Sequence, residues 1–590
     1  MSYLLRLPNE LLEAIFTCAE FDDLLSLIST NRRIREFIFA TTRLRYRFYL
    51  ECFGVEEQLP EGQGTAIIPT ARRLEALLGR ERRWLNVQPL CAALPRRYGP
   101  HHYDDHGHFQ GDSSLSVSGS RIFRAWGNGA PDWATHSKTQ PMDIISTTLS
   151  RPQYQWRAYS HIRARVHRWA ATYVSEADDL LVVMDYVPRH PQYDLFIARI
   201  AFLQLSTGRL HPAAAKPLMR LAHYDANLAG LEWELQGNIQ QAGGLLAVIV
   251  ANHQSRPDDD AYWTEPPPLP FVLRVFDWKS GEHIIRPTLC SSPAIAFLRQ
   301  DILLVVDSVL DQLDLLRLPA VQDRLPMPSP IISYVRRSLS PLSGRECSHD
   351  LRFAPQHRHS LLFFTSYLSV HSVRRRQAFI VHPRKLLSLF DAAATSGNGA
   401  HFFAQDEWVP TCARWLNQLP IVDFETPQMA NSGYRLSGIR DPAGALGPRP
   451  LVIIDANPWT VELVKRAAQG TAEEARRHPK EARPIWSQLG ILPGTRADGT
   501  LRTESGAILR LVLPTTPVTA PSTLHLFINP PTQSDLAYVE ITRVRRRPGP
   551  DPTPYDCRFA HINSESVITN GPRNPNEPLE NNTLALMYFG

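Results

Sequence analysis

The sequence predicts an α+β chain of several domains, a small helical module at the N-terminus followed by a mainly β region. Three observations carry this. Apolar residues between positions 7 and 38 recur at the spacing of one helix face in three short runs, each preceded by a helix-start signal. From about residue 115 the texture changes to short apolar runs separated by Pro, Gly and Asp clusters, the habit of strands and turns. There are 49 prolines in 590 residues, about 8% against a usual ~5%, which a helical bundle would not tolerate.

The helical module comes first. Pro8 suits a first helical turn, where its missing N–H costs nothing, and Glu10 close behind suits the positive end of the helix dipole. Leu11, Leu12, Ile15, Phe16 and Ala19 then form an amphipathic stripe. Asp22 is the expected N-cap of a second helix carrying Leu24, Leu25, Leu27 and Ile28, and Asn31 that of a third carrying Ile34, Phe37 and Ile38. Helices this short are unstable alone and bury too little surface to stand without a partner.

These residues resemble the F-box: a Leu-Pro-x-Glu start, Leu-Leu and Ile-Phe on the first helix, Asp-Leu-Leu-x-Leu on the second, then Asn-Arg-Arg-Ile-Arg-Glu-Phe-Ile. The resemblance runs from Leu7 to about Ala40 and departs at Thr30 and Ile34, where many members carry Cys or Val and Trp. It implies that Leu7, Pro8, Leu11, Leu12, Ile15, Phe16, Leu24, Leu25 and Leu27 form or support a surface offered to a Skp-type adaptor, completed by Arg32, Ile34 and Phe37. Recognition would lay an amphipathic helix into a groove of the partner. Charged residues at Pro8 and Leu12 are then expected to abolish docking and leave the β region folded.

Residues 43–53 continue as a helix with Leu44, Phe48 and Cys52 on one face, completing a helical module over residues 1–53. Residues 54–114 are expected to be linker and bracing helix: a connector over 54–70, a basic helix over 72–87 and a turn-rich loop after Pro95. The run Arg72, Arg73, Arg80, Arg82 and Arg83 is expected to be a solvated helix face.

Residues 115–590 form the β region. Strands are expected at 180–184, 195–205, 245–250, 271–278, 302–306, 361–364, 451–454, 508–513, 524–528 and 584–589, with one clear helix at 460–477. A repeat is visible in Asp-Leu-Leu-Val-Val-Met at 179–184, Gly-Leu-Leu-Ala-Val-Ile at 244–249 and Asp-Ile-Leu-Leu-Val-Val at 301–306. The first two units close on Ser206-Thr207-Gly208 and Lys279-Ser280-Gly281, and residues 359–364 with 376–381 suggest a fourth. A strand, loop, strand and Gly-turn unit recurring at roughly 60 residues is the pattern of β-propeller blades, with stacked β-sandwiches as the alternative. The strand over 583–589 is expected to pair with the region 115–126 and close the ring, which would remove exposed sheet edges.

Hydrophobic residues at 43% and charged residues at 21% place the chain among globular proteins. The net charge of +5 is a small remainder of 63 basic against 58 acidic groups, so no nucleic-acid or membrane partner is expected. Cys18, Cys52, Cys91, Cys290, Cys347, Cys412 and Cys557 form no CxxC pair, as expected of a reducing compartment. With no leader and no run of ~18 apolar residues, an intracellular protein, cytoplasmic or nuclear or both, is expected.

Chemistry-bearing motifs are scarce. There is no Walker A loop, no GxGxxG after a strand, no HExxH and no GxSxG. His101, His102, Asp104, Asp105, His106 and His108 are dense enough to bind metal but lack a ligand spacing, and Asp258 to Asp260 read as a hydrated loop. Neither is assigned as a metal site, and no cofactor is expected. The resemblance therefore implies a non-catalytic subunit: the substrate-recognition adaptor of a cullin-based SCF E3 ubiquitin ligase, docking a Skp-type adaptor and an unknown protein substrate. A scaffold protein outside a ligase is the alternative, and a metal-dependent enzyme a third.

Overall fold

The computed structural model describes residues 6–58, 68–88, 91–93, 115–118, 121–126, 143–150, 155–160, 169–175, 178–190, 193–224, 238–251, 271–290, 295–307, 312–319, 352–355, 361–370, 373–395, 403, 408, 411–415, 431–432, 434–439, 451–476, 483–513, 536–542, 560–562, 566–570 and 584–588. The predicted strand at 524–528, the histidine-rich loop at 101–108 and the acidic triplet at 258–260 lie outside the described residues.

Four helices follow one another at the N-terminus: α1 (Asn9–Cys18), α2 (Phe21–Thr30), α3 (Arg32–Ala40) and α4 (Thr42–Phe53). Pro8 precedes the first turn of α1, and its carbonyl accepts the Leu11 and Leu12 amides at 3.1 Å each. The expectation that Asp22 caps α2 is corrected, because α2 starts after Glu20. Asp22 and Asp23 lie inside its first turn, where their charge complements the dipole. Asn31 does cap α3, its side chain accepting the Arg33 and Ile34 amides at 2.9 and 3.1 Å. α4 ends on Gly54 at φ +65°, a left-handed turn that glycine adopts without steric cost.

The expected connector over 54–70 contains a strand, Val55–Gln58, paired antiparallel with Arg352–Pro355. Helix α5 (Thr70–Leu85) follows. Its arginines are only partly the solvated face the sequence suggested: Arg72 and Arg82 are exposed, Arg82 pairing with Glu504, whereas Arg80 is buried against Glu81 and Arg73 bonds Glu57 at 3.0 Å. Burial of the α5 face that carries Arg80 and Glu81 depends on residues more than three hundred positions away, which local periodicity does not register.

The remainder is mainly β, in several sheets whose pairings are all antiparallel among the described residues. One sheet runs in chain order through Trp169–Ser175, Leu180–His190, Tyr193–Gln204 and Leu218–Tyr224. The next comprises Asn238–Ala242, Leu245–Ala251 and Phe271–Asp277, with Glu282–His283 and Thr288–Cys290 on its last long strand. A third has Ile295–Arg299, Ile302–Asp307 and Gln312–Arg317, and a fourth Leu362–Val370, Val373–Val381 and Ala413–Trp415. The repeat seen in the sequence is thus a repeat of structure: Leu180–His190, Leu245–Ala251 and Ile302–Asp307 are each the second strand of their sheets. The matching turns are also the same, Gly208 N–H to Gln204 O and Gly281 N–H to Asp277 O, both 2.7 Å, with φ +69° and +70°.

Alternation along these strands feeds two cores at once. Leu246, Val248 and Val250 pack towards the sheet before, with Phe202 and Ile200, whereas Leu245, Ala247 and Ile249 pack towards the sheet after, with Ile295, Leu303 and Val305. Ala296, Leu298, Ile302 and Leu304 use the opposite face of that third sheet to meet Leu362, Val381 and helix α6 (Pro383–Thr395).

A six-stranded sheet has the order Asn431–Ser432, Arg435–Ile439, Leu451–Asp455, Tyr538–Thr542, Ile508–Val512 and Thr500–Arg502. One face, with Val452, Ile454 and Tyr538, meets Leu361 and Ile380 of the preceding sheet. The other, with Leu451, Ile453, Leu509 and Ile541, is covered by α4, α5 and the helix Pro458–Gln469. The single helix expected over 460–477 is corrected to two, Pro458–Gln469 and Ala472–Ala475. Gly470 ends the first, and a capping box between Thr471 and Glu474 starts the second.

The ring-closing pairing is corrected as well. Leu584–Tyr588 pairs with Cys91–Ala93, register Cys91↔Tyr588, and not with the region 115–126, whose strands Leu115–Ser118 and Arg121–Trp126 pair with each other. Cys-Ala-Ala is too short and too weak in β propensity to announce itself as a strand.

Candidate functional site

Helix α1 has two apolar faces. Leu12 and Phe16 are buried, at 5% and 1% exposure, in a small core with Leu24, Ile34, Ile38 and Leu44. Leu11 and Ile15 point the other way, 52% and 42% exposed. Pro8 before them and Cys18 after them are also exposed, so positions 8, 11, 15 and 18 continue one stripe at helical spacing. Few side chains of this size stand so open elsewhere among the described residues, and two of them one turn apart make a continuous apolar strip.

The residues named from the sequence divide accordingly. Pro8, Leu11, Ile15 and Arg32 are exposed, and the Arg32 guanidinium bonds Glu36 at 2.7 Å on α3. Leu12, Phe16, Leu24 and Ile34 are interior residues that hold the helices together. Leu7, Leu27 and Phe37 are half-buried against that same small core, with the Phe37 and Phe16 rings 6.1 Å apart. Leu25 is half-buried against a different and larger core, the one shared with the six-stranded sheet. A charged residue at Leu12 would therefore be forced into the core of the helical module, whereas one at Pro8 would stand at the surface.

Sequence reasoning passed over what holds the stripe in place. Arg47 of α4 donates to the last carbonyls of α1, at 2.9 Å to Phe16 O and 2.7 Å to Ala19 O, with a further bond to Thr17 O. It satisfies the orphan acceptors of the helix end and places a cation where the dipole is negative. No local pattern marks Arg47, since its partners lie about thirty residues away. Cys18 could have been found, because it continues the period of Leu11 and Ile15.

Behind α4 the support continues into the six-stranded sheet. Phe48 meets Trp459 edge to face at 5.6 Å, and Asn457 Nδ2 donates to Cys52 O at 3.0 Å. Burial, with Glu51 adding to it, pushes the Cys52 thiol up, so that this cysteine stays a protonated core residue. Burial would raise the carboxyl of Glu81, but Arg435 and Arg80 together outweigh it and hold the group below its usual range. Asp455 is raised by burial, only partly offset by Arg435.

No curated protein matches the chain. Among solved structures it resembles a puromycin-hydrolyzing peptidase of Mycobacterium tuberculosis at 13% identity and TM-score 0.24, over 68% of this chain and 55% of that one. It resembles Drosophila Semaphorin 2a at 9% identity and TM-score 0.25, over 72% of this chain and 74% of that one. The tricorn protease follows at 8% and 0.17, over 67% and 42%. The chain spans about half the length of the peptidase, 55%, and at these TM-scores none of the three bears on its architecture or activity. The F-box-like family model matches residues 4–51, which include all of α1, α2 and α3 and every residue of the exposed stripe. The chain therefore carries an F-box-like domain over residues 4–51, ahead of a β-rich region.

Proposed function

We propose that this protein is the substrate-recognition adaptor of a cullin-based SCF ubiquitin ligase, acting inside the cell. Its F-box-like domain docks a Skp-type adaptor, which brings the cullin, and its β region holds a protein substrate. The observation that carries the reading is the exposed pair Leu11 and Ile15 on α1, half-open side chains on a helix that a family model assigns to the F-box. An apolar strip of that kind is stabilised when a partner's groove excludes water from it. Pro8, Leu11 and Ile15 make the contact, while Leu12, Phe16, Leu24 and Ile34 keep the helices in register. The chain's contribution to ubiquitin transfer is proximity: it raises the effective concentration of a substrate lysine near the reactive thioester. Other subunits supply the chemistry.

The β region, taken as residues 115–590, is on this reading a propeller. Two features support that over stacked sandwiches. Sheets 238–290 and 295–317 bury both faces, each in a different core, whereas a sandwich buries one face per sheet. The first strands of successive sheets lie side by side, Trp169–Ser175 beside Asn238–Ala242 and that beside Ile295–Arg299, as strands lining a central channel would. Seven sheets of three or more strands occur among the described residues, within the propeller range.

The test is expression of the full chain with a Skp-type adaptor and a cullin, followed by affinity purification on the chain. A stoichiometric complex containing both is expected. Adaptor without cullin would replace the ligase reading with that of an F-box interaction protein, and absence of both would remove the docking assignment.

A further inference from the structure

We infer that the docking helices and the six-stranded sheet are one cooperative unit, joined by a buried clasp of Glu81, Arg435, Asp455 and Asn457 that fixes α1 relative to the β region. This holds whether or not the α1 stripe binds a Skp-type adaptor.

The clasp links parts of the chain far apart in sequence. Arg435, on the second strand of the sheet, pairs with Glu81 of α5 and bonds Asp455 Oδ2 through Nε at 3.0 Å. Its guanidinium lies over the Trp84 ring at 5.1 Å. Arg80 pairs with Glu81, so two guanidiniums meet two carboxylates and the cluster is neutral. Asp455 also accepts the Asn457 amide at 2.9 Å and the Thr460 hydroxyl at 3.3 Å. Asn457 uses its side chain twice: Oδ1 accepts the Trp459 amide at 2.8 Å, capping the helix Pro458–Gln469, and Nδ2 donates to Cys52 O at the end of α4. From there Arg47 carries the connection to the carbonyls of α1. Glu81, Asp455 and Asn457 are each at most 2% exposed.

An apolar core surrounds the clasp without a break. Phe48 and Cys52 of α4, Leu77 and Trp84 of α5, Val464 of the helix Pro458–Gln469 and Ile541 of the sheet are all buried in one cluster. Neighbouring domains joined by a linker meet through smaller and more polar surfaces, which leave them free to move. Here removal of the sheet would expose the inner side of α4, and removal of the helices would take Glu81 from Arg435 and the Cys52 carbonyl from Asn457 in an apolar setting, which is strongly destabilising. The F-box-like segment is thus not a detachable tail, and the direction in which α1 faces is set by the β region.

The experiment is hydrogen exchange on the full chain, comparing amides of α4 with those of strand 451–455. Both are expected to exchange through the same opening. Asn457→Ala should accelerate both by at least about tenfold, and to a similar degree, because a buried partner group is left unsatisfied. Arg435→Met alone leaves two buried carboxylates facing one cation, so the companion variant is the charge-balanced quadruple R80M/E81Q/R435M/D455N, for which the same parallel change is expected. Acceleration of α4 alone, with strand 451–455 unchanged, would show a detachable module and overturn the inference. No change in either segment would overturn the role given to the clasp.

Discussion

Replacing Leu11 and Ile15 together by alanine separates the two faces of α1. Burying a whole Leu or Ile side chain is worth roughly 1.5–3 kcal/mol, and these two retain 52% and 42% of their exposure in the free protein. Complete coverage by a partner should therefore draw roughly 1 kcal/mol from each, and the double variant should bind a Skp-type adaptor about 30-fold more weakly. The free protein should lose at most about 1 kcal/mol for each side chain, because roughly half of each faces water and alanine is at least as good a helix former. Leu12→Ala is the contrast. That side chain is 5% exposed in the core it shares with Phe16, Leu24, Ile34, Ile38 and Leu44, and its truncation should cost about 2–5 kcal/mol of stability. Titration calorimetry with the full chain reads the first effect, and thermal unfolding followed by circular dichroism reads the second. Unchanged binding in the double variant would refute the stripe as the docking surface. Equal destabilisation by Leu11→Ala and Leu12→Ala would refute the division of faces.

Two further outcomes follow from local geometry. Gly470→Ala should destabilise the protein by about 1–3 kcal/mol in urea unfolding, because the added Cβ would lie 2.6 Å from a Trp486 ring carbon and 3.2 Å from Arg466 O. His283 lies at the exposed edge of its sheet, yet partial desolvation first, and the cations Arg274 and Lys216 second, hold its imidazole below the usual histidine range. The unfolded chain then binds the proton more readily than the folded one. The stability this residue contributes is present above the ordinary histidine pKa of about 6.5 and is lost as pH falls through the folded value. The unfolding midpoint should fall on acidification below about pH 6.5, and by less in His283→Gln, with a pH series of melting curves as the measurement.

Some of this molecule was written locally. The starts of α1 and α3, the cap at Asn31, the apolar period of α1 and the recurring Leu-rich strands depend on neighbours within a few residues, so spacing alone revealed them. The Gly-turns after residues 204 and 277 were legible for the same reason, since only a few residue types adopt their left-handed geometry at low cost. Other features depend on contacts hundreds of positions away. Periodicity marked Leu11 and Leu12 alike as apolar, and only the packing of α2, α3 and α4 decided that Leu12 is core and Leu11 is surface. A basic run on α5 reads as solvated until Glu81 pairs with Arg80 and the distant Arg435 closes over that pair, burying this part of the run, while Glu504 pairs with Arg82 at the surface. A three-residue strand at Cys91–Ala93 exists because Leu584–Tyr588 lies beside it. The sequence by itself determined a short helical module at the N-terminus and a repeating β region. Tertiary structure decided which face of the module meets water and that the module shares its core with the sheet, because burial is a property of what packs against a residue and not of the residue's own neighbours.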